Sequence, residues 1–177
     1  MLEGERNLVR LAQGGDPEAF GVLYEHYLPQ IYRFILIKVS HKEQAEDLTH
    51  LTFLKAWENV RGYKHKGHPF SSWLYRIARN AVIDHYRRGV IQVSIEDVSA
   101  EALGVDDSLA EGADAKILWE DLLGAIKTLK DIEQDILIMR FVEGLPHQEI
   151  AAAVDKTEGA VKVIQHRALK KLKEVLK

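Results

Sequence analysis

Residues 144–162 read GLPHQEIAAAVDKTEGAVK. Pro146 suits a helix start, because its missing N–H is a donor that a first turn leaves unpaired anyway. Ile150, Ala151 and Val154 follow at inward spacing, and Ala151 and Ala152 are small enough to let a second helix approach. Asp155-Lys156-Thr157 turns the chain, and Thr157 is placed to cap a final helix to Lys177. A short helix, a polar turn and a longer helix at this spacing have the form of a helix-turn-helix. In such a unit the second helix puts its first turns into a DNA major groove.

The phase of that last helix can be followed at about 100° per residue. Val161, Ile164, Ala168, Leu172 and Val175 gather on one stripe, which predicts an inward face. Lys162, Val163, His166, Arg167 and Lys170 gather on the opposite arc, which predicts an exposed face with three cations and a histidine. Together with Thr157 these are the candidate duplex-reading residues, since Lys and Arg reach phosphates and guanine edges.

Outward from this unit the chain divides by composition. Residues 91–113, IQVSIEDVSAEALGVDDSLAEGA, are acidic, rich in Ser, Gly and Ala, and lack a sustained apolar stripe. The remainder reads as helix. Asp16-Pro17-Glu18 starts one helix, with Tyr24, Tyr27, Leu28, Ile31, Ile35 and Val39 at helical spacing and Pro29 interrupting it. Ser40 to Glu43 has the capping-box form, leading a helix to about Asn59. Arg61–Pro69 reads as a loop, and 70–88 as a helix with Trp73, Leu74, Ile77, Ala81 and Ile83 inward. Ala115–Lys127 is a further helix, and Asp131 with Gln134 caps another that ends at Gly144. Val90–Ile95 is a short strand candidate. The expectation is all-α: two small helical domains, 1–90 and 115–177, joined by a flexible acidic linker over 91–114.

Charge sharpens this division. The net charge of −3 averages unlike segments. Residues 61–90 hold 7 Lys and Arg against one acid, and residues 156–177 hold 7 against two, whereas 91–115 holds 7 acids and no base. Two basic surfaces on an acidic protein point to a polyanion partner. In the first, the loop Tyr63, Lys64, His65, Lys66 precedes FSSWLYRIARNAVIDHYRR (70–88), where Arg76, Arg79, Asn80, Asp84, Arg87 and Arg88 lie largely off the inward stripe. Interleaved rings and cations suit single-stranded nucleic acid: cations follow the backbone while rings or pockets hold unstacked bases.

Other classes of function find little support. The chain has 177 residues, 46% of them hydrophobic, which is enough for a core and rules out wholesale disorder. With no cysteine, a disulfide scaffold, a thiolate metal site and a cysteine nucleophile are excluded. The eight histidines, including His65, His68 and His85, fall in no HExxH or carboxylate–histidine grouping, so no metal and no cofactor is expected. No Walker loop, GxGxxG or nucleophile elbow marks an enzyme. No apolar run approaches the ~20 residues a membrane span needs, and MLEGERNLVR has acids where a signal peptide needs bases. A soluble, cytoplasmic protein without membrane insertion is expected.

Three motifs carry a family resemblance over almost the full length: AEDLTHLTFLKAW (45–57), FSSWLYRIARN (70–80) followed by Asp84 and Arg87-Arg88, and GAVKVIQHRAL (159–169). The chain resembles the extracytoplasmic-function (ECF) sigma factors, the minimal sigma factors of bacterial RNA polymerase. The resemblance implies that residues 1–90 look like the second sigma region. The Glu43–Asn59 helix would then dock on the β′ clamp helices of core polymerase through Asp47, His50, Leu51 and Phe53. The Tyr63–His68 loop and the following helix would open the minus-ten element and hold a flipped base. Residues 115–177 would read the minus-thirty-five element as duplex and touch the β flap. The resemblance also implies promoter DNA and core polymerase as partners, an anti-sigma factor as a further candidate, and a monomer when free. The chain departs from the usual pattern with His50-Leu51 in place of Gln-Glu and Val163-Ile164 in place of Ser-Arg. A valine on the groove face offers no hydrogen bond but can meet a thymine methyl.

Two other readings remain. A promoter-binding regulator acting without core polymerase would keep the helix-turn-helix and make residues 1–90 a sensor or dimerisation domain. It has no need of an aromatic-basic helix with Asn80 and Asp84. A module that only binds protein has no need of either basic face.

Overall fold

The computed structural model describes residues 2–89 and 113–177. Eight α-helices and no strand occur among them: α1 Glu5–Gln13, α2 Pro17–Val39, α3 Lys42–Asn59, α4 Phe70–Arg87, α5 Ala113–Lys127, α6 Asp131–Leu137, α7 His147–Val154 and α8 Glu158–Val175. None of these helices is long and apolar enough to cross a membrane. The expected linker lies outside the described residues except for its last two positions, which open α5, and the Val90–Ile95 strand candidate lies outside them entirely.

Helix α2 is the axis of the first four. Asp16 caps it through its carboxylate, which accepts from the backbone N–H of Glu18 and Ala19 at 2.9 and 3.2 Å. The helix runs unbroken through Pro29, against the expected interruption. Pro29 lies on the exposed side, where water can serve the carbonyl that a proline leaves unpaired. The helix ends at Ser40, whose left-handed backbone (φ 51°) and N–H bond to the Leu36 carbonyl make it a C-cap. Ser40 is therefore not the start of a capping box. The N-cap of α3 is His41, whose Nδ1 accepts from the Gln44 N–H. Buried Thr49 and Thr52 donate to the Ala45 and Leu48 carbonyls one turn back, so neither hydroxyl is left unpaired.

Helix α1 is an addition, since the sequence reading assigned no element before Asp16. It lays Val9 and Ala12 into the core and places buried Glu5 beneath the start of α4. The inward stripe of α4 is Leu74, Tyr75, Ala78, Ala81 and Val82, with Trp73, Ile77 and Ile83 only half-buried. The stripe moves because α4 is covered on two sides, by α2 and α3 on one and by α7 on another. Phe34 packs edge-on to Tyr75, and Tyr24 edge-on to Phe53.

The same two-sided covering explains the run Phe34–Val39, which is buried all round. On its far side sit Ile136, Ile138, Met139, Leu145, Ile150 and Val154 of the later helices, in one continuous core with α1–α4. A smaller core of Ala125, Ile126, Leu129, Leu137, Ala168 and Leu172 ties α5, α6 and α8 together. Helix α6 is capped one residue earlier than expected: Lys130 is the N-cap, and Glu133 accepts from its N–H at 3.0 Å. Beyond Leu137 the chain widens into a π-turn over Ile138–Val142 before Gly144, at φ 69°, reverses it.

Candidate nucleic-acid interface

Helices α7 and α8 are set against each other by Ile150, Val154 and Val161, all buried. Between them Asp155 adopts the left-handed conformation at φ 56°, which Asp tolerates better than most residues. The Thr157 hydroxyl accepts from the Ala160 N–H at 3.2 Å and so fixes the start of α8. A brace that the sequence did not reveal joins the pair: His147 Nε2 and Gln165 Oε1 lie 2.7 Å apart. Thr157, Lys162, Val163, His166, Arg167 and Lys170 are all exposed, on the face their phase predicts. Val163 is 49% exposed, and Lys162 pairs with Glu158 one turn back at 2.6 Å. On the inward stripe Val161, Ala168 and Leu172 are buried and Ile164 is half-buried, whereas Val175, expected inward, is exposed in the last turn.

The second surface is built on Phe70. Its ring centroid lies 5.3 Å from those of both Tyr63 and Trp73. Tyr63 is thus half-buried in an aromatic cluster. Its carbonyl accepts from Gln13 Nε2 at 2.7 Å, and burial pushes its phenol up to about 12, with the charge of Glu5 adding to the shift. Tyr63 therefore shapes this surface from below, while Lys64, His65 and Lys66 are exposed beside it. On α4, Asn80, Asp84, Arg87 and Arg88 are exposed.

Arg76 and Arg79 belong to the same face but meet the later helices instead of solvent alone. Arg76 donates to the Ala152 carbonyl of α7, and Arg79 Nε donates to Asp135 Oδ2 of α6 at 2.6 Å. A cleft of about 600 Å³ lies between the two parts, lined by Tyr63, Lys64, Trp73, Arg76, Gln148 and Lys156 among others.

On α3 Asp47, His50, Leu51 and Leu54 are exposed, as are Glu43, Glu46 and Glu58. Phe53, expected to dock, is 4% exposed and packed on Tyr24, so it is a core residue. Leu54, at 53% exposure, takes its place on the outer face. Among the described residues no group of three His, Asp or Glu side chains is disposed to hold a metal.

An aromatic-basic surface on α4 and a helix-turn-helix at α7–α8, carried by one all-helical chain, are the arrangement expected of a two-part sigma subunit. Residues 23–90 match the family model of Sigma-70 region 2, and residues 125–174 that of Sigma-70 region 4. The ECF RNA polymerase sigma factor SigD of Mycobacterium tuberculosis is 33% identical over 183 residues, covering 98% of this chain and 85% of the relative. The ECF RNA polymerase sigma factor BldN of Streptomyces coelicolor is 35% identical over 174 residues, covering 96% of this chain, which spans 64% of that relative's length. The chain belongs to the ECF sigma factors. Its fold is that of CnrH, solved with the cytosolic domain of CnrY, with a TM-score of 0.69, 24% identity, and coverage of 98% of this chain and 97% of that one. It is also that of the sigma factor RpoE of Bartonella quintana, solved with the anti-sigma factor NepR, with a TM-score of 0.66, 21% identity, and coverage of 89% and 96%.

Proposed function

We propose that this sigma factor binds RNA polymerase core, recognises promoter DNA at two elements and opens it to initiate transcription. One observation carries the reading: an exposed α8 groove face and an aromatic-basic α4 face occur in one chain that matches both sigma regions. The helix-turn-helix reads duplex through Lys162, Val163, His166, Arg167 and Lys170, with Thr157 holding the start of the reading helix. The minus-ten strand is held by Lys64, His65, Lys66, Asn80, Asp84, Arg87 and Arg88, together with Arg76 and Arg79 when these are free, above the floor made by Tyr63. Holding an unstacked base offsets the few kcal/mol that its extrusion costs, which stabilises the open duplex. The outer face of α3, with Asp47, His50, Leu51 and Leu54, docks on the β′ clamp helices, and the later helices touch the β flap.

The division of labour follows residues 1–90 and 115–177, with 91–114 as an acidic linker that mimics nucleic acid on its way to the RNA exit path. The protein is a binding subunit, and the bond-forming chemistry belongs to polymerase. It acts in the cytoplasm as a monomer. An anti-sigma factor is a further partner in this proposal, because the RpoE with this fold is held by one. The rival regulator would not need a region 2 match over residues 23–90.

The test is run-off transcription with bacterial core polymerase and a genomic promoter library. New start sites that need this protein, and that vanish with Asn80→Ala or with Lys162→Glu plus Arg167→Glu, support the reading. Duplex binding without core, and no initiation with it, replaces that reading with the regulator.

A further inference from the structure

Helix α1 has no part in the surfaces assigned above, yet it holds both ends of the loop between Tyr63 and Pro69. At the near end Gln13 Nε2 donates to the Tyr63 carbonyl at 2.7 Å, across 50 residues of sequence. At the far end the Phe70 N–H donates to Glu5 Oε2 at 3.1 Å, and Glu5 is itself steadied by the Tyr27 hydroxyl of α2. Helix α1 also packs on the turn Val60–Gly62 that leads into the loop.

The near end needs two anchors. Ring packing on Phe70 and Trp73 places the Tyr63 side chain. It does not set the Tyr63 ψ angle, because rotation about the Cα–C bond leaves the ring where it is. The Gln13 bond takes the carbonyl and so holds that angle, 132°, which sets the direction in which the chain leaves for Lys64. Beyond this point the loop has little of its own to fix it. Among the described residues, Lys64, His65 and Lys66 make no hydrogen bond or ion pair, and all three are exposed. A recess of about 160 Å³ opens between α1 and the loop, lined by Val9, Gln13, Tyr63, His65 and Phe70 among others. Close packing therefore does not decide where the two lysines stand. The tied ends do.

We propose that Gln13 and Glu5 are positioning residues for the strand-holding loop: α1 sets the path of residues 64–68, so that Lys64, His65 and Lys66 meet a single strand together with the exposed residues of α4. This role rests on the sigma reading above. Its physical basis is preorganisation, since a loop already held in its binding path loses less freedom when the strand arrives. Returning the backbone freedom of one residue to the unbound loop weakens strand binding by a factor of about 5–30.

Gln13→Met keeps the length of the side chain and removes the donor. Gln13 is only half-buried, at the last position of α1, so the thermal midpoint should stay close to that of the parent. The strand probe is the fluorescein-labelled non-template strand of a minus-ten element mapped by run-off transcription. Holoenzyme reconstituted with Gln13→Met should bind it about 5–30-fold more weakly than parent holoenzyme. Affinity for a duplex carrying only the minus-thirty-five element should be unchanged. A coupling measurement separates positioning from general loosening. With Lys64→Ala, His65→Ala and Lys66→Ala in place, adding Gln13→Met should cost nothing further, because the loop has no cation left to place. Strand affinity equal to the parent's, an equal loss on the duplex, or a loss that adds in full to that of the three alanines overturns the proposal. Run-off transcription keeps the two claims apart. If no start site needs the parent protein, the sigma reading fails and the role of α1 falls with it. If start sites appear and Gln13→Met holds the strand as the parent does, only the role of α1 fails.

Discussion

The Glu5 carboxylate caps a helix 65 residues away: Oε2 accepts a hydrogen bond from the Phe70 backbone N–H at 3.1 Å, and Oε1 accepts one from the Tyr27 hydroxyl. Pro69, the N-cap of α4, has no side chain able to cap, so α1 supplies the acceptor in trans. Burial and the neighbouring Glu5 push the Tyr27 phenol well above its ordinary range. Glu5→Ala leaves a buried hydroxyl and a first-turn N–H unpaired and should destabilise the protein by about 2–3 kcal/mol. Urea unfolding followed by tryptophan fluorescence checks this, because Trp73 packs on Phe70. Glu5→Gln, which keeps an acceptor, should lose less.

Val163 stands exposed on the groove face, so Val163→Ala should leave the thermal midpoint unchanged. If the side chain buries its two methyl groups against a thymine, the change costs about 1–2 kcal/mol of duplex binding. Promoter affinity of the reconstituted holoenzyme, measured on minus-thirty-five variants, should fall only where that thymine is present. A uniform loss across sequences would remove Val163 from base reading.

Leu54→Asp places a charge on the outer face of α3, away from the core that Phe53 serves. It should lower affinity for core polymerase at least about tenfold, at ~1.4 kcal/mol per decade, without altering circular dichroism. Phe53→Ala should do the reverse of a docking substitution, unfolding α3 from α2 at a cost of about 3–5 kcal/mol.

Glu133 gives a pH dependence with a definite sign. Burial alone would raise its carboxyl, but the Lys171 hydrogen bond, the Lys130 N–H and the charges of both lysines outweigh burial and hold it below the usual glutamate range. Its folded value lies under its unfolded one, so its contribution is present above the unfolded value of ~4.3 and is lost as pH falls through the folded one. Glu133→Gln should therefore be less stable than the parent at pH 7, with the gap closing below about pH 4. Urea midpoints across pH 3–7 check this.

The α8 face was legible because one uninterrupted helix fixes the phase of its residues by periodicity alone, and among the described residues nothing covers its outer side. The α4 stripe was misplaced by a fraction of a turn because the helix is covered from two directions, and a sequence window contains only one. Phe53 was assigned outward through the resemblance, whereas its ring fills the space beside Tyr24. Helix α1 carries an amphipathic pattern in Leu8, Val9, Leu11 and Ala12, but its anchor is the carboxylate of Glu5, which reads in sequence as a surface charge.

The sequence by itself determined the all-helical class, the helix-turn-helix, the two basic faces and the family, since each depends on residues near one another along the chain. Only the tertiary structure decided that Arg33 would meet Glu143, 110 residues on, and that Arg79 would meet Asp135, 56 residues on. Periodicity places a cation on a face but does not say what that face will touch. That depends on how two apolar surfaces, α2 with α4 and the helices after residue 130, exclude water together, and the buried acids follow from that packing.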